Sequence, residues 1–138
     1  MDPGEARALF ASAPVARLAT VDAEGRPHLV PITFAVDGDQ IVTAVDHKPK
    51  RTTQLRRLDN IAANPEVGVL ADHYEDDWST LWWARADGQA RIVEPGVPEH
   101  ERAVSALAAR YAQYEERRPN DGVIVISVSR WSGWRADR

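Results

Sequence analysis

Cysteine is absent from all 138 residues, which removes disulfides, thiolate nucleophiles and cysteine-ligated metals. No run of about 18 apolar residues occurs, so no membrane span is expected. The opening MDPGEARALFASAPVARL has no basic segment ahead of a long apolar one, and it reads as part of the fold rather than as a leader. These absences suit a cytoplasmic protein. With 17 Lys and Arg against 21 Asp and Glu, the net charge is −4, and the broad basic face that nucleic acid demands is missing. There is no glycine-rich phosphate loop and no serine in a nucleophile-elbow context. His28, His47, His73 and His100 show no metal-ligand spacing, and the acidic run around His73 reads as a solvated loop, so no metal site is expected. The side-chain sets that usually perform acid–base or nucleophilic chemistry are therefore missing, and no residue is assigned as catalytic.

What is present suits a single domain over residues 1–138: 43% hydrophobic residues supply a core and 28% charged residues a solvated surface. Asp2, Pro3 and Glu5 spell a helix start, with the helix running to about Ser12 and Leu9 and Phe10 facing inward. Val15 to Val21 and His28 to Val36 read as strands around a turn at Gly25. Asp37-Gly38-Asp39 is a hairpin signal, and Gln40 to Val45 is the next strand, so this part is expected to be a β-meander. Leu55, Leu58 and Ala62 recur at helical spacing between a Thr52 or Thr53 cap and the Asn64-Pro65 stop. Val67 to Tyr74 is strand-like. Leu81 to Arg85 and Gln89 to Val93 flank Asp87-Gly88, which local chemistry reads as a hairpin turn, with a bulge in one long strand as the competitor. Pro98 to Arg118 is predicted as one helix with a Val104, Leu107, Ala108, Tyr111 stripe, and Val123 to Val128 as a buried strand. Six or seven strands with two or three helices predict a mainly β protein, an antiparallel barrel-like sheet with flanking helices.

Three features stand out. Lys48, Lys50 and Arg51 crowd the start of a helix in an acidic protein. A helix N-terminus has unpaired N–H groups and a positive partial charge, so added cations make sense where an anion such as phosphate sits; the alternative is a solvated basic loop. Val30-Pro31-Ile32-Thr33 carries a proline inside a strand, which marks an edge or an irregularity, and an edge leaves backbone groups free for a planar ligand. Trp78, Trp82 and Trp83 cluster, and on a strand Trp82 and Trp83 point to opposite faces; core and interface packing competes with stacking on a flat ring. An anion cradle without catalytic side chains fits a protein whose chemistry belongs to a bound cofactor.

The segments ARLATVDAEGRPHLVPITF, IVTAVDHKPKR, LRRLDNIAANPEVGVLADHYEDDW and LWWARADGQARIV, taken in order, resemble the split β-barrel flavin and deazaflavin oxidoreductases, the pyridoxamine-5′-phosphate-oxidase-like proteins. The likeness runs from Ala16 to Val93. Together with the final Trp131-Ser132-Gly133-Trp134, it is nearest the branch that uses the 8-hydroxy-5-deazaflavin coenzyme F-420. The resemblance implies a split β-barrel homodimer with a cofactor site at each subunit interface. It places Val30, Pro31, Ile32 and Thr33 against the ring with Thr43 and Ala44 alongside. Lys50 and Arg51 meet the phosphate, Lys48 assists, and Trp78 and Trp83 reach the partner's site. It implies hydride transfer between coenzyme F-420 and a small organic acceptor, with FMN as the alternative cofactor and a flavin- or haem-binding carrier as the alternative role. It also favours a bulge at Asp87-Gly88 over the hairpin. The segment that carries the pyridoxal-phosphate-binding residues in the vitamin oxidase is missing, so that activity is not expected.

Overall fold

Residues 1–44 and 51–136, without the side chains of 51–55, are described by the computed structural model. Helix α1 (Pro3–Ser12) is capped as its sequence predicts: the Glu5 N–H donates to the Asp2 carboxylate at 2.9 Å, and Pro3 takes the first turn, where its missing N–H costs nothing. Strands β1 (Ala16–Val21) and β2 (Pro27–Ile32) form a hairpin, closed by Gly25 at φ 82° and by two N–H groups that donate to Asp22. Strands β3 (Ala35–Asp37) and β4 (Gln40–Ala44) form another around Gly38 at φ 61°, a conformation glycine adopts without penalty. Helix α2 (Arg51–Ala63) stops ahead of Pro65 and leads into β5 (Glu66–His73). A 3₁₀ turn (Trp78–Thr80) precedes the long β6 (Trp82–Val93). Then come α3 (Pro98–Arg110), α4 (Ala112–Glu116) and β7 (Val123–Arg135).

Among the described residues the strands form one antiparallel seven-stranded sheet in the order β2-β1-β5-β6-β7-β4-β3. Laid flat, such a sheet would hold its two edges roughly 29 Å apart. Yet β2 passes into β3 through Thr33 and Phe34 alone, a link that spans roughly 11 Å at most. The sheet must therefore curl until its edges approach, while β2 and β3 share no ladder. The result is a barrel split at Thr33–Phe34, the predicted architecture. One apolar cluster, containing Phe10, Leu18, Phe34, Val69 and Ile126, fills the inside beneath α1 and α2; a second, built on Val104, Leu107, Val123 and Val125, lies beneath α3. No described helix is long and apolar enough to cross a membrane.

Four local expectations are corrected. The strand expected over 28–36 is two strands, because the Phe34 N–H donates to Tyr111 Oη at 3.0 Å and the Phe34 carbonyl accepts from Tyr111 Oη at 2.9 Å and from Arg110 Nη1 at 2.7 Å; side chains take the groups a ladder would use. The expected meander is instead two hairpins at opposite edges, with β1 and β4 each paired to a strand far along the chain. The helix expected over 98–118 breaks at Tyr111, whose φ −119° and ψ 120° are extended; this turn carries its hydroxyl onto Phe34. On α2, Ala62 is exposed, whereas Arg57, Asn60 and Ile61 are buried, with Asn60 Nδ2 donating to Thr20 Oγ1 at 3.0 Å. The buried face is thus rotated from the one that apolar spacing marks, because polar residues find partners inside.

Asp87-Gly88 lies inside one long strand, β6, as the resemblance favours and local turn chemistry does not, but the bulge itself is on the neighbouring strand: Asp87 faces Arg130 and Gly88 faces Val128, so Ser129 of β7 is passed over, while β6 stays in regular register with β5. Only glycine fits there, since a Cβ on Gly88 would sit 2.2 Å from the Ser127 carbonyl oxygen. Gly88→Ala is expected to destabilise by about 1–3 kcal/mol through forced backbone displacement. Gly68→Ala, whose Cβ would find its nearest neighbour at 4.0 Å, is the matched control with an expected change near zero. Denaturant titration of both variants checks this; equal midpoints would remove the steric argument.

Candidate functional site

Of the residues marked by the sequence, Val30, Pro31, Ile32, Thr33, Thr43 and Ala44 lie at the split, whereas Trp78 and Trp83 lie elsewhere, on the 3₁₀ turn and on β6. As an edge strand, β2 tolerates Pro31, which faces Arg17 across the β1 ladder. The pleat divides the segment: Val30 packs against the core and Ile32 is buried, while Pro31 and Thr33 are exposed. Thr43 and Ala44 are buried at the end of β4, and Thr43 Oγ1 donates to the Thr33 carbonyl at 2.7 Å, so the two threonines are brought together. Arg51 is the first residue of α2, so the helix starts ahead of the expected Thr52 or Thr53 cap and both threonines fall inside it; the Arg51 side chain lies outside the described residues, as do Lys48 and Lys50.

The tryptophans separate as strand geometry requires. Trp82 packs on the core, while Trp83 lies on the outer face of the sheet. There it borders an open hollow of about 660 Å³ with Arg17, Leu29, Leu70, Asp72 and Tyr74. This face is unusually apolar for a surface: Leu29 is 68% exposed, Tyr74 61% and Leu70 37%. Trp78 is 76% exposed, on a turn that is nonetheless knitted together. Asp77 accepts from the Ser79 N–H at 3.1 Å and from its hydroxyl at 2.6 Å; Glu75 accepts from Thr80 and lies 2.8 Å from His73 Nε2. Those hydrogen bonds hold the Asp77 carboxyl below the usual range, and Thr80, followed by His73, does the same for Glu75. Among the described residues, no three His, Asp or Glu side chains gather as a metal-binding group.

Behind the split stand residues that the sequence did not mark for the site, Tyr111 being read there only as part of a helix stripe. Arg110 places its guanidinium 4.5 Å above the Phe34 ring and donates to the Phe34 and Ala13 carbonyls. Tyr111 takes both backbone groups of Phe34, and Tyr114 Oη lies 3.1 Å from Thr33 Oγ1. These contacts join positions 76 to 97 residues apart, beyond the reach of any local pattern. Leu29, Leu70 and Tyr74 could have been found, since strand alternation puts them on the solvent side. Beside the β1–β2 hairpin, a polar hollow of about 740 Å³ is lined by Asp22, Arg26, His28, Arg56, Asp59 and Asn60. The backbone and side chain of Arg26 hold the Asp22 carboxyl below its usual range. At the far edge, Arg102 on α3 does the same to Asp37 through donors at 2.7 and 3.2 Å, fastening α3 to the β3–β4 hairpin.

A curled antiparallel sheet, open between its edges and crossed by helices, defines the split β-barrel class. Residues 3–135 match the pyridoxamine 5′-phosphate oxidase family, and the chain belongs to it. No curated protein matches the sequence. Among solved structures, it is similar to an FAD-binding protein from Mesorhizobium loti, with 17% identity, 96% of this chain and 94% of that chain covered, and a TM-score of 0.73. A conserved hypothetical protein from Mycobacterium tuberculosis shares 25% identity over 98% of this chain and 85% of that one, with a TM-score of 0.71. A heme binding protein from Mycobacterium smegmatis shares 24% identity over 96% of this chain and 53% of that one, with a TM-score of 0.74.

Proposed function

We propose that this chain is an oxidoreductase that binds a flavin-type ring with a phosphate-bearing tail at the split of its sheet, and that the ring is coenzyme F-420. The observation that carries the reading is the open β2 edge. Beyond Pro31 and Thr33 no strand pairs with it among the described residues, so a flat ring finds exposed backbone, an apolar proline face and a hydroxyl there. That donor set fits a planar heterocycle with polar edges. Val30, Ile32, Thr43 and Ala44 shape the wall through their backbone and packing. Lys48, Lys50 and Arg51 at the start of α2 complement an anionic tail; their worth is binding energy, not chemistry. When bound, the ring supplies hydride transfer to or from a small organic acceptor. The protein contributes orientation and exclusion of water, and the proton comes from solvent because no described side chain is poised to give it.

The preference for F-420 rests on the resemblance of the four ordered segments between Ala16 and Val93, with the final WSGW, to that branch. FMN is the second reading, favoured by the flavin named in the M. loti structure, and a carrier without turnover is the third, favoured by the haem named in the M. smegmatis one. The exposed Leu29, Leu70 and Tyr74 face supports a homodimer in which Trp83 lies at the interface and Trp78 covers the partner's ring. No membrane or nucleic-acid partner enters this reading, and a cytoplasmic location fits the cysteine-free sequence.

Titration with F-420 and with FMN, followed by ultraviolet–visible absorbance, tests the cofactor. Tighter binding of F-420 is expected; tighter FMN binding would reverse the preference, and binding of neither at saturation would end the reading. With reduced cofactor and a panel of acceptors, consumption above background is expected, and its absence would favour the carrier. Sedimentation velocity should show twice the 15.3 kDa of one chain.

A further inference from the structure

The contacts around Thr33–Phe34 fall into two kinds. Phe34 is fully buried, and its N–H and carbonyl would be stranded without Tyr111 and Arg110; that is structural need. The contact between Tyr114 Oη and Thr33 Oγ1 at 3.1 Å is different. Thr33 is exposed, and water would satisfy its hydroxyl at no loss to the fold. Yet the chain leaves the helical path at Tyr111 and restarts as α4, which brings Tyr114 edge-on to Tyr111 at 5.6 Å between ring centres and sets its phenol on Thr33. The Thr33 carbonyl is meanwhile fixed by Thr43 at 2.7 Å. Backbone and side chain of this one exposed residue are thus both held.

We propose that Tyr114 is a positioning residue for the cofactor site, holding the Thr33 hydroxyl so that its proton points to the bound ring. Either hydroxyl could donate by geometry; a phenol is a stronger acid than an aliphatic alcohol, so we assign Tyr114 as the donor and Thr33 as the acceptor. Thr33 then has its own O–H free for an acceptor on the ring's polar edge. The inference rests on the ring lying along the β2 edge, and it adds a residue from α4 that never touches the ring.

The test compares Tyr114→Phe, Thr33→Val and the double variant, using whichever of F-420 and FMN the wild type binds more tightly. Dissociation constants and the visible absorption band of the bound ring are read, with thermal melting as the check on folding. Tyr114→Phe should weaken binding about 2- to 12-fold, the range of one ordinary hydrogen bond, and move the absorption band toward that of the free ring. Thr33→Val should do at least as much, and adding Tyr114→Phe to it should change nothing further. Thr33→Ser, which keeps the hydroxyl, should retain the wild-type band. An unshifted band with unchanged affinity in Tyr114→Phe, or an equal loss when it is added to Thr33→Val, would overturn the positioning role while leaving the ring site standing. Should Tyr114→Phe melt early, Thr33→Val removes the same contact from the exposed side, and wild-type affinity and band there would overturn the role as well. Failure of the wild type to bind either ring would overturn the site and this inference together.

Discussion

Phe34→Ala is expected to remove about 3–5 kcal/mol of folding stability, the usual range for truncating a fully buried phenylalanine. Phe34 is 0% exposed and meets Phe10 at 4.9 Å between ring centres. Its ring also carries the Arg110 guanidinium at 4.5 Å. Truncation therefore opens a cavity at the closure of the barrel and removes the aromatic face from a half-buried cation. The backbone hydrogen bonds to Tyr111 and Arg110 remain available, but the side chain that holds residue 34 in reach of them is gone. Against a total of about 5–15 kcal/mol for a domain, this is a large fraction. Denaturant unfolding measures it. Leu29→Ala, at a position 68% exposed, is the comparison and should fall within about 0.5 kcal/mol of wild type in the monomeric state. A loss under about 1 kcal/mol for Phe34→Ala would mean that the split is held by the helices alone.

Replacing Lys50 and Arg51 together with alanine should weaken binding of the phosphate-bearing cofactor by about 2–4 kcal/mol. Each charge-assisted contact is worth about 1.5–3 kcal/mol, and neighbouring contacts to one anion do not add fully. In affinity this is roughly 30- to 1,000-fold, easily resolved by titration. The wild-type affinity should also fall with added salt, and the double variant should lose much of that dependence. Folding should be nearly unchanged, because cations at a helix N-terminus oppose the helix dipole and their removal relieves rather than harms it. Affinity equal to wild type would place the anion elsewhere and detach the basic segment from the site.

The contrast between these two predictions follows what was legible. Asp2, Pro3, Gly38 and the Asn64-Pro65 stop act through their own φ, ψ or a cap three residues away, so their elements could be read directly. The basic run before α2 and the edge proline in β2 were equally legible, because charge and a missing N–H are properties of the residue itself. The break after Ile32 was not, since the partners of Phe34 lie at the end of α3 and just past it, 76 and 77 residues onward. Nor was the break at Tyr111: residues 98–118 favour helix throughout, and only the tertiary contact with Phe34 makes an extended residue the better choice. Asp87-Gly88 marks the boundary between the two cases. The dipeptide by itself reads as a turn, and it stays within one strand, opposite a bulge at Ser129, because β7 runs alongside both halves of β6 and leaves no room for a side chain at Gly88.

The amino-acid sequence alone determined that the chain is mainly β with flanking helices, where most turns and caps fall, and that a basic helix start follows an irregular edge strand. Those are short-range properties, set by backbone preference and charge. Tertiary structure alone decided that β2 and β3 stand at opposite edges of one curled sheet, that Arg110, Tyr111 and Tyr114 meet Thr33 and Phe34, and that an apolar face is left outward around Trp83. The reason is physical: a buried backbone group must find a donor or acceptor wherever the chain folds back, and no local pattern records which distant side chain will supply it.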